Sequence, residues 1–242
     1  MNTKLLIAPH NDDEVLWTGL TLLRERPRVL IVFDSYIQVA RGHAGCDAFT
    51  RRRESMAALL ELGAASWFPH SSRAVPITFL GFRDDLPFRS AAIQNAILPH
   101  LRDVTELWAP AYEEGGHEQH NAVALACMPF RGAGAGACPE CAGGQIQRVM
   151  PDCPVCKGSG QQYMKLHQYL TYTRGYGKSR MLRIAGVTPD VRNAREVLPR
   201  SDDDIARKHR ALACYRSQMD MTPGIGCWEW FMGDLREYEV AD

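Results

Sequence analysis

Several features are missing from this chain of 242 residues, and each absence narrows its function. It has no net charge, because 28 Lys and Arg balance 28 Asp and Glu. That argues against a nucleic-acid binder working through a bulk basic surface, and against a polybasic membrane binder. It has no apolar run near the ~20 residues of a membrane helix. Its first ten residues carry one basic side chain and too short an apolar run for a secretory leader, so the expected compartment is the cytoplasm. No repeat of 20–50 residues is visible. With 45% hydrophobic residues the chain is not of the disordered class, and it is long enough to bury a core without disulfide staples.

The apolar runs that do occur alternate in type. Lys4–Ala8 and Arg28–Phe33 read as buried parallel strands. Between them, Val15–Arg26 carries Leu16, Leu20 and Leu23 at helical spacing, and Pro27 stops it. Thr50–Leu62 reads as a helix ending at Gly63, Val75–Leu80 as a strand and Ser90–Arg102 as a helix. Thr105–Ala109 is a strand candidate, followed by a helix over Asn121–Met128. Tyr163–Thr173 could be a strand, and Asp202–Gln218 a helix capped by Ser201. This alternation predicts an α/β fold, a Rossmann-like and mostly parallel sheet with helices on both faces. Ligands in such sheets bind beyond the carboxyl ends of the strands.

Two polar clusters follow predicted strands. The first is His10-Asn11-Asp12-Asp13-Glu14, an imidazole and three carboxylates in one turn. Adjacent acids repel unless a cation is present, and imidazole with carboxylate suits zinc. The second, His117-Glu118-Gln119-His120, offers candidates for a third ligand. Taken alone, Asp12-Asp13-Glu14 also reads as a solvated loop with a helix cap.

Four of the eight cysteines form two pairs, Cys138/Cys141 and Cys153/Cys156, in the Gly-rich stretch Arg131–Gln162. Two CxxC knuckles in a cytosolic chain read as one closed structural zinc site, with a redox pair as the alternative. This stretch, 131–162, reads as a zinc-ribbon insertion within a domain formed by 1–130 and 163–242. Its texture resembles the zinc-binding segment of DnaJ-type chaperones.

The first cluster, Ala8-Pro9-His10-Asn11-Asp12-Asp13-Glu14, resembles the A-H-P-D-D-E signature of the LmbE/PIG-L deacetylase family. Gly116-His117-Glu118-Gln119-His120 resembles its H-P-D-H signature. Arg51-Arg52-Arg53-Glu54 with Leu62-Gly63 resembles its R-x-x-E helix, Phe82-Arg83-Asp84 a substrate loop, and Tyr215-Arg216-Ser217-Gln218 its C-terminal Y-R-S-Q. The matches run in order over nearly all the chain outside 131–162. The resemblance implies that His10, Asp13 and His120 bind a catalytic zinc and that Asp12 is the general base. It implies that His117 stabilises the oxyanion and that Arg51 and Asp84 hold substrate. The implied reaction is hydrolysis of an N-acyl group, N-acetyl by the family's pattern, from an N-acetylglucosamine-type sugar or its conjugate. The sequence departs from the pattern at Asn11, which replaces Pro, and at Gln119, which replaces Asp. Gln119 keeps open a non-catalytic ligand- or partner-binding protein of the same fold. Association of like chains is also open.

Overall fold

Leu5, Leu6, Ile7 and Ala8 are all buried, and they alternate between two apolar cores. A strand buried on both faces needs helices on both faces, and the fold supplies them. This computed structural model describes residues 3–33, 47–63, 77–83, 86–113, 116–131, 164–171, 194–219 and 237–240. Its strands are β1 (Lys4–His10), β2 (Arg28–Phe33), β3 (Ile77–Phe82), β4 (Glu106–Pro110), β5 (Lys165–Tyr169), β6 (Ala194–Glu196) and β7 (Tyr238–Val240). They form one seven-stranded sheet in the order β3-β2-β1-β4-β5-β7-β6. The first five strands of that order pair in parallel, while β7 is antiparallel to both β5 and β6. The fold class is therefore the expected one, a Rossmann-like α/β architecture.

The helices are α1 (Asp13–Leu16), α2 (Gly19–Glu25), α3 (Ala48–Glu61), α4 (Ser90–Ile97), α5 (Glu118–Cys127), α6 (Asp202–Leu212) and α7 (Arg216–Met219). Leu20, Leu23, Leu59 and Leu212 from α2, α3 and α6 fill one core with Leu6 and Ile31. Ile93, Ile97, Val123 and Cys127 from α4 and α5 fill the other with Ile7 and Val32. No helix among the described residues is long and apolar enough to cross a membrane.

Two predicted helices are broken, each for a visible reason. The helix expected over Val15–Arg26 stops at Leu16 and restarts at Gly19. The break houses a buried ion pair. Lys208 Nζ donates to the Leu16 carbonyl at 3.1 Å and to Glu237 Oε1 at 2.5 Å, while Glu237 accepts the Leu20 and Thr21 N–H groups that open α2. One pair thus caps two helix ends. Gly19 permits it, since a Cβ there would lie 3.1 Å from Lys208 Cγ. The helix expected over Asp202–Gln218 ends at Leu212 and resumes at Arg216. Between them the chain turns and Tyr215 is fully buried. Ser201 does cap α6, its Oγ accepting the Asp204 N–H at 3.4 Å.

β2 and β3 lie to one side of β1, and β4 and β5 to the other. The sheet therefore reverses its winding between β1 and β4, and a crevice opens beyond their carboxyl ends. β1 ends at His10, and the loop leaving β4 leads to His117 and α5.

Candidate metal centre

Beyond His10 the chain turns sharply. Asp12 takes φ +118, a region that a residue with a Cβ enters at a cost of about 1–3 kcal/mol. Its neighbours hold it there. The Asp12 N–H donates to Glu14 Oε2 at 2.8 Å. Arg51 Nη2 donates to the Asn11 carbonyl and, at 3.2 Å, to Asp12 Oδ2. Asn11, fully buried, donates through Nδ2 to Ser55 Oγ at 3.1 Å. The Asp12 carbonyl then accepts the Val15 and Leu16 N–H groups of α1.

This turn aims Asp13 at two imidazoles. Asp13 Oδ2 lies 2.9 Å from His10 Nδ1 and 3.1 Å from His120 Nε2, and those two nitrogens are 3.2 Å apart. The other Asp13 oxygen accepts the Trp17 indole N–H at 2.7 Å, which fixes the carboxylate plane. His10 Nε2, on the far side of its ring, meets Gln119 Oε1 at 2.7 Å. His117 completes the cluster from the rim. Its ring centre is 5.1 Å from that of His10 and 5.0 Å from that of His120. His10, His117 and His120 each offer a nitrogen, all within 4.8 Å of one another, and this group could hold a metal ion. Asp13 Oδ2 approaches His10 and His120 more closely than that.

Burial and charge act against each other here. Burial pushes the Asp13 carboxyl up, but the His120 and His10 imidazoles overcome it and hold it well below the ordinary range. Burial pulls His10 down, and Asp13 more than reverses that. Asp12 is pushed up to about 8 by burial, against the pull of Arg51. His117 is displaced well below its ordinary value by desolvation and by the charges of His10 and His120. It reaches solvent at the rim, yet the protein around its ring still disfavours a second proton.

Of the residues singled out in the sequence, His10, Asp12, Asp13, His117 and His120 come together. Arg51 is only 3% exposed and lies behind Asp12. Asp84 falls outside the described residues, as do Cys138, Cys141, Cys153, Cys156 and the rest of the expected zinc-ribbon insertion. Sequence reasoning did not find how the site is braced. Glu113 accepts the Thr171 N–H and hydroxyl at 2.8 Å, and Asn121 Nδ2 donates to the Glu113 carbonyl at 2.7 Å, so the β4–α5 loop is tied to the end of β5. Glu54 accepts the Ser217 N–H at 2.7 Å and hydroxyl at 2.5 Å. The spacing of Arg51 and Glu54, three apart on one helix face, was the available signal for that last brace.

The sequence matches no protein-family model, and no characterised protein matches it significantly in sequence. Solved structures do resemble it. The fold is shared. An N,N'-diacetylchitobiose deacetylase from Pyrococcus horikoshii aligns with a TM-score of 0.54 at 21% identity, over 95% of this chain and 75% of that one. A conserved protein from Thermus thermophilus aligns with a TM-score of 0.53 at 20% identity, over 100% of this chain and 94% of that one. The 4-carboxy-2-hydroxymuconate hydratase of Pseudomonas putida aligns with a TM-score of 0.52 at 13% identity, over 99% and 95%. At these identities the likeness concerns architecture, and two different reactions share it.

Proposed function

We propose that the chain is a zinc-dependent amide hydrolase of the LmbE/PIG-L type that removes an N-acetyl group from an amino sugar or its conjugate. The observation that carries this reading is the triangle of Asp13 Oδ2, His10 Nδ1 and His120 Nε2, with edges of 2.9, 3.1 and 3.2 Å. Two donors of a tetrahedral zinc ion stand about 3.3 Å apart. Two imidazoles and a carboxylate also form a known catalytic donor set, with a fourth position left for water or substrate. The likeness to a chitobiose deacetylase supports the amide as the bond broken and an amino sugar as the substrate class.

A zinc ion held there would lower the pKa of a water molecule and polarise the amide carbonyl. The remaining work belongs to side chains. Asp12, next to Asp13 and paired with Arg51, accepts the proton of the attacking water. Once protonated, the same carboxyl can return that proton to the departing amine, without which the C–N bond does not break. His117, neutral at physiological pH, donates its N–H to the oxygen on which negative charge develops. Arg51 holds Asp12 and the Asn11 carbonyl in place. Asp84 is proposed to bind a substrate hydroxyl, and the four paired cysteines a second, structural zinc.

The test is metal content by elemental analysis together with acetate release from N-acetylated amino sugars. The wild type is expected to hold two zinc ions. His10→Ala/His120→Ala should lose one ion and all acetate release, while Cys138→Ser/Cys153→Ser should lose the other. Zinc lost only with the cysteines would turn the reading toward a binding protein. Zinc bound at both sites, but without acetate release, would leave a metal site serving other chemistry such as the hydration known for one fold relative.

A further inference from the structure

We propose that Gln119 is a positioning residue that keeps a proton on His10 Nε2, leaving His10 Nδ1 as the metal-facing atom, and that its neutrality sets a weaker hold on the metal than an acid would. This rests on the metal reading above. The geometry leaves little choice of atom. Nδ1 of His10 is the nitrogen that faces Asp13 Oδ2 at 2.9 Å and His120 Nε2 at 3.2 Å. Nε2 points away, to Gln119 Oε1 at 2.7 Å. A carboxamide oxygen only accepts hydrogen bonds, so Nε2 must carry the hydrogen. A neutral imidazole has one N–H, and placing it on Nε2 frees the Nδ1 lone pair for a cation. With the amide reversed, its NH2 would donate to a bare Nε2 and the hydrogen would sit on Nδ1, blocking the ligand atom.

Gln119 is itself buried, at 7% exposure, in the first turn of α5, the turn that also carries His120. One turn of helix therefore supplies one candidate ligand and orients another from β1. Partners that accept the outer N–H of a metal-binding histidine fix its tautomer and raise its basicity, and their loss typically weakens metal binding about 10–100-fold. A carboxylate does this more strongly than an amide, because it accepts with a full charge. Gln119 fixes the tautomer and omits the charge.

Two measurements test this, and the first needs no metal. Proton–nitrogen correlation of the histidine side chains, in protein with and without added zinc, should show a hydrogen-bonded proton on His10 Nε2 in both. A bare Nε2 in the wild type overturns the proposal whether or not zinc binds. The second is zinc affinity by chelator competition. Gln119→Leu should bind zinc about 10–100-fold more weakly and lose the protected Nε2 proton. Gln119→Glu, of the same length, should keep the proton and bind at least as tightly as wild type. Equal affinity for wild type and the Leu variant, with both folded by circular dichroism, rejects the proposal. If wild type binds no zinc at His10, the metal reading itself fails, while the proton measurement still decides the tautomer.

Discussion

The phenol of Tyr215 donates a 2.5 Å hydrogen bond to Glu14 Oε1, joining residues 201 positions apart. The other Glu14 oxygen accepts the N–H of Asp12, the residue held at φ +118. A buried chain of contacts thus runs from the segment after α6 to the strained turn that presents Asp12 and Asp13. Tyr215→Phe keeps the ring and deletes the donor, leaving Glu14 Oε1 buried with one partner fewer. The expected cost is about 1–3 kcal/mol by urea denaturation, because a buried acceptor loses its bond without regaining water. Acetate release should fall as well, since Asp12 is then less firmly held. Unchanged stability and unchanged rate would mean that Arg51, Glu14 and the Asn11–Ser55 bond keep the turn in shape without Tyr215.

Asp12→Asn tests the proton-transfer role separately from metal binding. Asparagine has the same shape and can still meet Arg51, but it cannot take a proton. Turnover is expected to drop about a hundred- to ten-thousand-fold, the usual worth of a general base, with zinc content and melting temperature near wild type. A variant that retains most of its turnover would move the base elsewhere in the cluster. A variant that loses zinc would instead show that Asp12 helps bind it.

Much of this was readable from sequence, for physical reasons that differ by element. β1 and β2 announce themselves because strands buried on both faces need unbroken apolar runs, as Leu5–Ala8 and Val29–Phe33 provide. The meeting of His10 with His120 followed from the rule that parallel sheets bind ligands at carboxyl strand ends. The break between α1 and α2 was hidden because its cause, the pairing of Lys208 with Glu237, comes from residues about 190 and 220 positions later. Periodicity over Val15–Arg26 cannot register such a distant cap. β6 and β7 are three residues each, too short to carry a pattern. Gln119 could be noticed as a departure from a motif, but its partner, His10, could be named only from the folded structure.

The pH dependence of stability has a testable element at the start of α6. Asp204 accepts from the Arg200 N–H at 2.9 Å and from its guanidinium at 3.2 Å, and these bonds hold its carboxyl below the ordinary value of 3.8. A carboxyl whose folded pKa is depressed stabilises the fold above its unfolded pKa, and that contribution fades as pH falls through the folded value. Arg200 is half exposed, so solvent screening limits the effect to about 1 kcal/mol or less. Asp204→Asn should therefore be less stable than wild type at pH 7, and the gap should narrow from about pH 5 downward. Urea midpoints taken across that range give the comparison. A gap independent of pH would assign the loss to capping geometry alone.

The last prediction concerns the ion pair between α1 and α2. Lys208 and Glu237 side chains are both fully buried, 2.5 Å apart. Charges in such a place are costly to desolvate, so the pair itself adds little net stability, whereas removing one member strands the other. Lys208→Met should cost about 3–5 kcal/mol, because the buried Glu237 charge loses its cationic partner, leaving it the neutral donors of Leu20 and Thr21, and the Leu16 carbonyl loses the bond from Lys208. The double variant Lys208→Met/Glu237→Gln should recover part of that loss, since a neutral amide oxygen can still accept from α2. The break also sets where α1 ends, and α1 carries Asp13, so the single variant should weaken zinc binding while the double variant restores it. A double variant no more stable than the single one would mean that Lys208 acts through its methylenes against Gly19 rather than through its charge.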